Sequence, residues 1–371
     1  MKLIKTLSIS AAVLGVAGSL NAQTVIDITG STAGRAAVHA AIRTVLANET
    51  FVFTGSNING ASKALFKGDI SGTPVTIRTS WSGSAAGVRD VAQNNSAVWF
   101  PNTAINTVAL NGTAVAMSNN SANTVQDTAE IAFSDVFQSS TIYGTPALTD
   151  VTVGIIPFKF FTSSDVNGAF TNISPSQAKY LWGNGYIPLA MLSGDNADQA
   201  TFLFATGRDP ESGTRITAMA EIGYGVFNAV QQYQPTITTG AVTAINIWPA
   251  GTYAEGNGGY TSGSSVKTAL EATAFASGFG LISYLGSSDW SGVAEELTYN
   301  GVAYSANSVK EGTYTFWGYL HQMRQASLSG TPLAFFDSLA TAVQADTSWL
   351  VKTADMFVSR SSDGGLINPT Y

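Results

Sequence analysis

The sequence predicts an α/β fold, because one local pattern recurs along the chain: an apolar strand, a loop of small residues, and then a helix. The pattern occurs at 24–46, at 75–92 and at 201–221. It is typical of sheets flanked by helices, in which the loops that bind ligands follow the carboxyl ends of the strands. We therefore expect the functional residues of this chain in those loops.

The first two units have the clearest periodicity. In the first, the strand 25–28 leads into a short loop, and we expect Ser31 or Thr32 to cap the helix that follows. Apolar side chains then recur at three- and four-residue spacing, which indicates a helix with one buried face. In the second unit, the alternating strand 75–79 leads through a serine-rich loop into a helix expected at 88–92.

Further strands are expected where apolar residues run together. The segment 151–161 is the most apolar one after the N-terminus and indicates a buried strand. Other strands are expected at 130–133, 279–285 and 313–317. We predict that the last of these is followed by a helix through Leu320 and Met323, and that 231–265 forms a surface loop inserted into the fold.

The most informative motif joins a strand to a helix at 208–214, with the sequence Arg-Asp-Pro-Glu-Ser-Gly-Thr. Ser212, Gly213 and Thr214 place hydroxyls and unpaired backbone N–H groups at the start of the helix, where the helix dipole favours an anion. Arg208 adds a planar guanidinium suited to bidentate contact with a phosphate-like oxyanion. The motif therefore predicts a site for a tetrahedral anion.

An ordinary helix cap is the alternative interpretation of this motif. Ser-Gly-Thr occurs twice more, at 71–73 and 329–331, so the tripeptide alone is not specific. Only the copy at 212–214 follows a strand-like segment, opens a helical one and has an arginine four residues before its serine. Both interpretations stay open at the level of local pattern.

Four strand ends carry hydroxyl side chains, and in an α/β sheet such ends converge on one crevice. They are Ser31 with Thr32, Ser82 with Ser84, Ser134 with Asp135, and Arg208 with Ser212 and Thr214. Asp135 is the acidic member of this set. An ionised carboxylate only accepts hydrogen bonds, so it favours an anion that still carries a proton. We expect such a site to prefer hydrogenphosphate to sulfate.

With these motifs in this order, the chain resembles the periplasmic phosphate-binding proteins of ABC transporters. The resemblance covers, in order, a leader and the segments 30–32, 83–87, 133–135 and 208–214. It implies a type 2 periplasmic-binding fold, with two α/β lobes, a ligand cleft between them, and crossover strands near 151–160 and 279–286. The implied boundaries are 1–22 for the leader, 23–152 with 284–371 for lobe I, and 153–283 for lobe II.

The same resemblance implies which residues bind the ligand and what the protein does. The implied phosphate-binding residues are Ser31, Thr32, Ala33, Ser84, Asp135, Arg208, Ser212, Gly213 and Thr214. A receptor of this kind captures inorganic phosphate and delivers it to an ABC-transporter permease in the inner membrane. We expect a monomer that is not an enzyme and uses no cofactor.

The N-terminus predicts export. Two lysines precede an apolar core at 6–20, and Ala22 ends a segment suited to cleavage, which indicates a signal peptide rather than a membrane span. We expect a soluble periplasmic protein, although release outside the cell fits the leader equally well. The chain contains no cysteine and therefore no disulfide bond. Its net charge of −7 argues against nucleic acid as a partner.

Catalysis and metal binding have little support in the sequence. The two histidines, His39 and His321, lie away from the motifs and are expected to be structural, and no Gly-x-Ser-x-Gly elbow is present. Without cysteine, a zinc site would need mostly carboxylates. A phosphatase that used Asp135 and Ser84 would lack a group that activates its nucleophile.

Two non-catalytic alternatives stay open. The same fold could serve an extracellular adhesin or matrix protein, since charged residues are only 11% of the chain and Tyr253 and Tyr260 are expected to be exposed. The receptor could also bind another oxyanion, such as sulfate, molybdate or a phosphonate. Arg35 and Arg89, which follow two of the loops, are expected to be exposed helix residues.

Overall fold

The structure, a computed structural model, describes residues 23–104, 112–113, 124–166, 168–272, 274–275, 278–290 and 292–370. The leader predicted at 1–22 lies outside these residues. Within them the chain forms twenty β-strands and eight α-helices. None of the helices in this described part is long and apolar enough to cross a bilayer.

The elements follow one another as strands with interspersed helices. The strands are β1 (Thr24–Gly30), β2 (Ala47–Phe53), β3 (Lys63–Ile70), β4 (Thr73–Ser80), β5 (Ser96–Trp99), β6 (Gly112–Thr113), β7 (Val125–Thr128), β8 (Ile131–Ser134), β9 (Thr149–Thr162), β10 (Asn172–Ile173), β11 (Tyr186–Pro188), β12 (Phe202–Ala205), β13 (Tyr233–Thr238), β14 (Ala241–Ile247), β15 (Ala274–Phe275), β16 (Phe279–Gly286), β17 (Glu295–Tyr299), β18 (Trp317–Arg324), β19 (Val358–Ser359) and β20 (Asn368–Pro369). The helices are α1 (Arg35–Val45), α2 (Ser84–Gln93), α3 (Pro175–Asn184), α4 (Ala190–Ser193), α5 (Gly213–Glu221), α6 (Gly263–Leu270), α7 (Ala306–Lys310) and α8 (Gly330–Gln344).

A large mixed sheet of thirteen strands forms the centre of the molecule. Along its main path the strands follow the order β11-β12-β16-β9-β18-β8-β1-β4-β3-β2-β6, while β17 pairs with β9 and β10 pairs with β17. The main hydrophobic cluster extends along this sheet, from Ile26 in β1 to Leu203 in β12.

The strands that precede the predicted loops run parallel to their neighbours. β1 pairs in parallel with β4 and with β8, and β12 pairs in parallel with β16. The carboxyl ends of β1, β4 and β8 therefore lie at the same edge of the sheet, and the loops after them start side by side. This arrangement confirms the α/β class predicted from the strand–loop–helix pattern.

β9 links two parts of the large sheet. Its first part, as far as Pro157, pairs with β18, and its last part, from Phe158 to Thr162, pairs with β16. The residues from 153 to 162 are all buried, which matches the apolar sequence of this segment. One continuous strand therefore connects the part of the sheet that contains β1 to the part that contains β12.

β18 shows that the helix predicted through Leu320 and Met323 is wrong. Trp317–Arg324 is a central strand, hydrogen-bonded to β8 on one edge and to β9 on the other. Its polar Gln322 is buried and donates to the Phe336 carbonyl at 2.8 Å. The three-residue spacing of Leu320 and Met323 resembles a helical face, but pairing on both edges decides the conformation.

The prediction that 231–265 forms a surface loop is also wrong. The segment contains the β13–β14 hairpin and the first residues of α6. Ile237 and Ile245 of the hairpin pack against a buried cluster that includes Leu281 of β16. The hairpin has little hydrophobic periodicity because few of its apolar side chains face the core. The sequence pattern therefore does not indicate its two strands.

Candidate functional site

Arg208 lies at the centre of the candidate site, three residues after β12 ends. Only 2% of the residue is exposed. The guanidinium donates from Nε to the Tyr260 carbonyl at 3.0 Å, from one terminal nitrogen to the Thr261 carbonyl at 2.9 Å, and from the other to Oγ1 of Thr32 at 3.1 Å. These contacts fix the plane of the guanidinium and bring it to the loop that follows β1.

Part of the donor capacity of Arg208 is left for a ligand. A guanidinium carries one N–H on Nε and two on each terminal nitrogen. The three contacts use one N–H on each nitrogen, so each terminal nitrogen keeps an N–H without an acceptor among the residues described here. One donor on each terminal nitrogen is the arrangement that binds two oxygens of a single oxyanion.

The positive charge of Arg208 has no carboxylate ion-pair partner within the described ranges. The arginine ion pairs found there join Arg35 to Asp289, Arg43 to Glu49, Arg78 to Asp27 and Asp127, Arg89 to Asp90 and Glu211, and Arg360 to Glu221. Burial lowers the pKa of Arg208, although the nearby charges of Asp209 and Asp289 act in the opposite direction. A buried cation without an ion pair is costly, and an anionic ligand would supply the missing partner.

Asp135 reaches the same site from the loop after β8. The residue is 1% exposed, and its carboxylate accepts hydrogen bonds from Oγ of Ser84 and, at 3.4 Å, from Oγ1 of Thr214. Burial raises the pKa of Asp135. Hydrogen bonds from Ser84 and Ser31 lower it, as does the charge of Arg208, but the net direction is upward. This carboxyl therefore accepts a proton more readily than an exposed aspartate does.

The loop after β1 differs from its prediction. α1 begins at Arg35 with Gly34 as its N-cap, so neither Ser31 nor Thr32 caps the helix. Ser31 instead closes the loop, because its Oγ accepts from the N–H groups of Ala33 at 3.2 Å and Gly34 at 3.3 Å. The Oγ1 of Thr32 accepts from the guanidinium, which leaves the O–H of the same side chain to donate to a ligand.

α2 begins earlier than predicted, and this places Ser84 in its first turn. The helix starts at Ser84 rather than at position 88, with Gly83 as its N-cap. Gly83 has a φ of 112°, and a Cβ there would lie 2.6 Å from the Glu211 carbonyl oxygen, so the position requires glycine. The Ala85 N–H donates to the same carbonyl at 3.0 Å, which holds the start of α2 against the loop before α5.

α5 begins at Gly213, and Ser212 is its N-cap. The Oγ of Ser212 accepts from the N–H of Arg215 at 3.4 Å. A Cβ at Gly213 would overlap Oδ1 of Asp135 and Oγ of Ser84, so only glycine lets the helix start this close to them. The N-termini of α2 and α5 therefore meet at Asp135, and both helix dipoles favour negative charge there.

The structure brings all the predicted site residues together. Ser31, Thr32, Ala33, Ser84, Asp135, Arg208, Ser212, Gly213 and Thr214 are all buried. The contact between Thr32 and Arg208 joins the β1 loop to the β12 loop, and the contacts of Asp135 join the β8 loop to α2 and α5. The expected convergence of four strand ends is thus confirmed, while the ligand they bind stays a prediction.

Sequence reasoning missed the backbone carbonyls that hold Arg208. Tyr260 and Thr261 belong to the segment predicted as a surface loop, and Tyr260 forms a parallel β-bridge with Arg208. Tyr253 and Tyr260, both expected to be exposed, are half-buried. A carbonyl acceptor is present at every residue, so no sequence signal could have identified these two.

The prediction that Arg35 is an exposed helix residue is wrong, and Arg89 is only partly exposed. Arg35 is 2% exposed and pairs with Asp289 at 2.8 Å. Arg89 is partly exposed and pairs with Asp90 at 2.9 Å and with Glu211 at 3.3 Å. The position of Arg35 directly after the glycine-containing β1 loop is the signal that could have marked it.

Neither histidine belongs to the site. The ring nitrogens of His39 contact the Ile58 carbonyl at 2.7 Å and Oγ1 of Thr79 at 2.9 Å, and burial lowers the pKa of His39 to about 3. His321 contacts Asp150 at 2.8 Å. Both side chains have the structural roles expected of them. No group of three or more metal-ligating side chains occurs in the part of the chain that the structure covers.

Comparison with known proteins agrees with this fold. The sequence matches no protein-family model, and no curated protein matches it. A solved structure from Clostridium perfringens, described as a phosphate ABC transporter substrate-binding protein with bound phosphate, has a TM-score of 0.51 and 13% identity, and the match covers 89% of this chain and 100% of that one. An ABC-type phosphate transport receptor from Vibrio cholerae has a TM-score of 0.46 and 11% identity, covering 85% and 93%. The expected resemblance to phosphate-binding proteins of ABC transporters is thereby confirmed at the level of the fold.

Proposed function

We propose that this protein is an exported substrate-binding protein that captures inorganic phosphate in a cleft between two lobes, for uptake by an ABC transporter. The observation that carries the proposal is the buried guanidinium of Arg208, which donates to one hydroxyl and two backbone carbonyls and has no ion-pair partner among the described residues. The fold shared with the Clostridium perfringens protein, whose structure contains phosphate, supports the same class of ligand.

Each residue of the site has a role in the proposed complex. Arg208 binds two phosphate oxygens with the remaining N–H on each terminal nitrogen. Hydroxyls of the β1 loop and of the two helix N-termini donate to the other oxygens, together with the N–H of Gly213. Thr32 is the hydroxyl donor of the β1 loop. Ser84 and Thr214, whose hydroxyls donate to Asp135 in this structure, turn them to phosphate in the proposed complex. Ser31, Ala33 and Ser212 complete the set of ligand contacts, and their bonds within the loops also hold the donors in place.

Asp135 selects for a protonated oxyanion. Its carboxylate accepts the hydrogen of hydrogenphosphate, whereas sulfate, which carries no proton at neutral pH, would leave two acceptors facing each other. Burial raises the pKa of Asp135, so the proton of the ligand is shared with a carboxyl that accepts it readily. Phosphate is for this reason the best candidate among the oxyanions.

Two lobes closing around the ligand account for the arrangement of the site. We place lobe I at 23–152 with 284–371 and lobe II at 153–283, connected through β9 and β16. The β1, α2 and β8 loops then belong to lobe I, and Arg208 with the start of α5 belongs to lobe II. Phosphate contacts both lobes at once, so it stabilises the closed arrangement over an open one.

Delivery to a membrane permease follows from this role. The proposed receptor works as a monomer, is directed to the periplasm by the leader at 1–22, and hands phosphate to an ABC-transporter permease in the inner membrane. It has no catalytic step, because binding and release of the anion are sufficient for transport.

Calorimetric titration of the purified protein with phosphate, sulfate and molybdate tests the proposal. We expect phosphate to bind with one site per chain and the other two anions to bind at least about tenfold more weakly. Tight binding of sulfate or molybdate in preference to phosphate would redirect the assignment to that anion. Absence of binding for all three would refute the receptor function.

Replacing Asp135 by asparagine tests the selectivity mechanism. Asp135→Asn keeps the shape of the side chain but adds N–H donors, so we expect the preference for phosphate over sulfate to fall by at least about tenfold, or ~1.4 kcal/mol. The ratio of the two affinities at neutral pH is the measurement. A variant that still rejects sulfate as strongly as the wild type would show that another group selects the ligand.

A further inference from the structure

A second set of contacts joins the proposed lobes outside the anion site. Its centre is Glu211, the residue directly before Ser212. The Glu211 carboxylate accepts from the hydroxyl of Tyr143 at 2.8 Å and pairs with Arg89 at 3.3 Å. Its backbone carbonyl accepts from the Ala85 N–H at 3.0 Å. Three groups from two separate segments of proposed lobe I thus meet one residue of proposed lobe II.

These contacts are arranged as one connected cluster, which we call the Glu211 clasp, formed by Glu211, Arg89 and Tyr143. The guanidinium of Arg89 also lies over the Tyr143 ring, 5.8 Å from its centroid. Side-chain exposure is 32% for Arg89 and 17% for Glu211, so the ion pair is only partly screened by water. The clasp therefore contributes a modest attraction between segments that are distant in the sequence.

The clasp is separate from the groups that face the ligand in the proposed complex. None of its three side chains is among the proposed phosphate contacts. It is nevertheless rigidly linked to them, because Glu211 precedes the N-cap of α5 and Arg89 lies on the helix that begins at Ser84. Formation of the clasp and approach of the two helix N-termini are therefore one movement.

We propose that the Glu211 clasp is a closure device: Glu211, Arg89 and Tyr143 are positioning residues that hold the lobes together and slow the release of the bound anion. This inference rests on the proposed function, because it assumes that the lobes separate when the anion leaves. The clasp stabilises the closed arrangement with or without ligand. A stronger clasp therefore reduces the share of the phosphate-binding free energy that is spent on closing the lobes.

The first test measures closure without any ligand. The chain contains no cysteine, so cysteines introduced at the exposed Gln93 and Gln199, one in each proposed lobe, can carry spin labels without background labelling. We expect Glu211→Ala and Tyr143→Phe to shift the distance distribution towards longer, more open separations. Arg43→Gln is the matched control, because it breaks the Arg43–Glu49 ion pair at 3.0 Å within proposed lobe I. The control should leave the distribution unchanged.

The second test measures phosphate kinetics in a double-mutant cycle. We expect Glu211→Ala to speed phosphate dissociation by about threefold to tenfold, with association changed by less than about twofold. Combined with Tyr143→Phe, its effect on affinity should be less than additive, since both changes remove the same contact. The same cycle on urea unfolding of phosphate-free protein should show a smaller coupling than the cycle on affinity, because without phosphate the contact is formed only in the closed fraction of the molecules.

The outcomes separate the clasp from the proposed function. Unchanged label distances and unchanged dissociation in a variant that still binds phosphate would overturn the clasp and leave the receptor function standing. Coupling of equal size in the unfolding of phosphate-free protein would also overturn it, since the contact would then be an ordinary structural one. If the wild type binds no phosphate, the receptor function fails, and the label distances alone decide whether the clasp controls closure.

Discussion

Two buried arginines, Arg78 and Arg208, have opposite surroundings. Arg78 in β4 lies opposite Asp27 in β1, donates to its carboxylate from Nε at 2.6 Å and from a terminal nitrogen, and also reaches Asp127 at 2.9 Å. Arg208 donates to two backbone carbonyls and one hydroxyl. One cation is neutralised inside the fold, while the other keeps its charge at the end of a strand.

The pKa values follow the same contrast. Burial lowers the pKa of Arg78, but the bonds and charges of Asp27 and Asp127 outweigh it, so the net direction is upward. For Arg208 burial prevails and the pKa is lowered. A buried charge that is left uncompensated is costly, which is why it persists mainly where a ligand of opposite charge compensates it. We infer that Arg78 serves stability and Arg208 serves binding.

The largest expected effect is on stability, at Arg78. Arg78→Gln leaves the buried carboxyl of Asp27 without its partner, and we expect the free energy of unfolding to fall by about 3–5 kcal/mol. Urea denaturation measures it. Phosphate affinity of the folded fraction should change by less than about twofold. A stability loss below about 1 kcal/mol would contradict the structural role of Arg78. A large loss of phosphate affinity with unchanged stability would contradict it as well.

The next effect is on affinity, at Arg208. Arg208→Gln keeps a donor for the neighbouring carbonyls but removes the positive charge, so we expect phosphate affinity to fall at least about tenfold, or ~1.4 kcal/mol. Unfolding of the phosphate-free variant should change much less than for Arg78→Gln. Calorimetry on both variants side by side is the measurement. Unchanged affinity would remove Arg208 from the proposed site.

The smallest effect is a pH dependence next to Arg78. Burial raises the pKa of Glu130 from 4.5 to about 7, and Oε2 of Glu130 accepts from the Asp27 N–H at 2.7 Å. The fold disfavours the ionised form of Glu130. The contribution of this carboxyl to folding stability is therefore present below pH 4.5 and is lost as the pH rises through about 7.

Glu130→Gln keeps the acceptor but cannot ionise. When the pH rises from about 5 to about 8, we expect the free energy of unfolding to fall in both proteins, by roughly 1–2 kcal/mol less in the variant than in the wild type. Urea denaturation at both pH values measures the difference, with the exposed Glu255→Gln as the control. Parallel pH profiles for the wild type and Glu130→Gln would show that Glu130 ionises freely in the folded protein.

Local sequence predicted most residues of the candidate site but not the backbone carbonyls that hold Arg208 in place. The motif at 208–214 identified Arg208 and the cap at Ser212, because a strand, a small-residue loop and a helix start leave a short-range pattern. The carbonyls of Tyr260 and Thr261 left no such pattern. Both residues lie between the β13–β14 hairpin and α6, in the segment that the sequence pattern predicts as a loop, and the hairpin is held by packing against a cluster that includes Leu281 of β16.

The error at β18 has a related cause. Leu320 and Met323 have helical spacing, yet the segment is a strand between β8 and β9. Residues buried on both faces of a sheet show no two-residue alternation, so periodicity alone cannot separate such a strand from a buried helix. Long-range pairing decides the conformation there.

By itself, the sequence determined the α/β class, the positions of the small-residue loops at the strand ends and the identity of the residues within them. Those features depend on contacts between neighbours along the chain. Tertiary structure alone decided that Arg208 lacks an ion-pair partner in the described chain while Arg78 has two, and that Glu211 meets Arg89 and Tyr143. The physical reason is that charge compensation depends on distances between segments far apart in the chain, which no local pattern encodes.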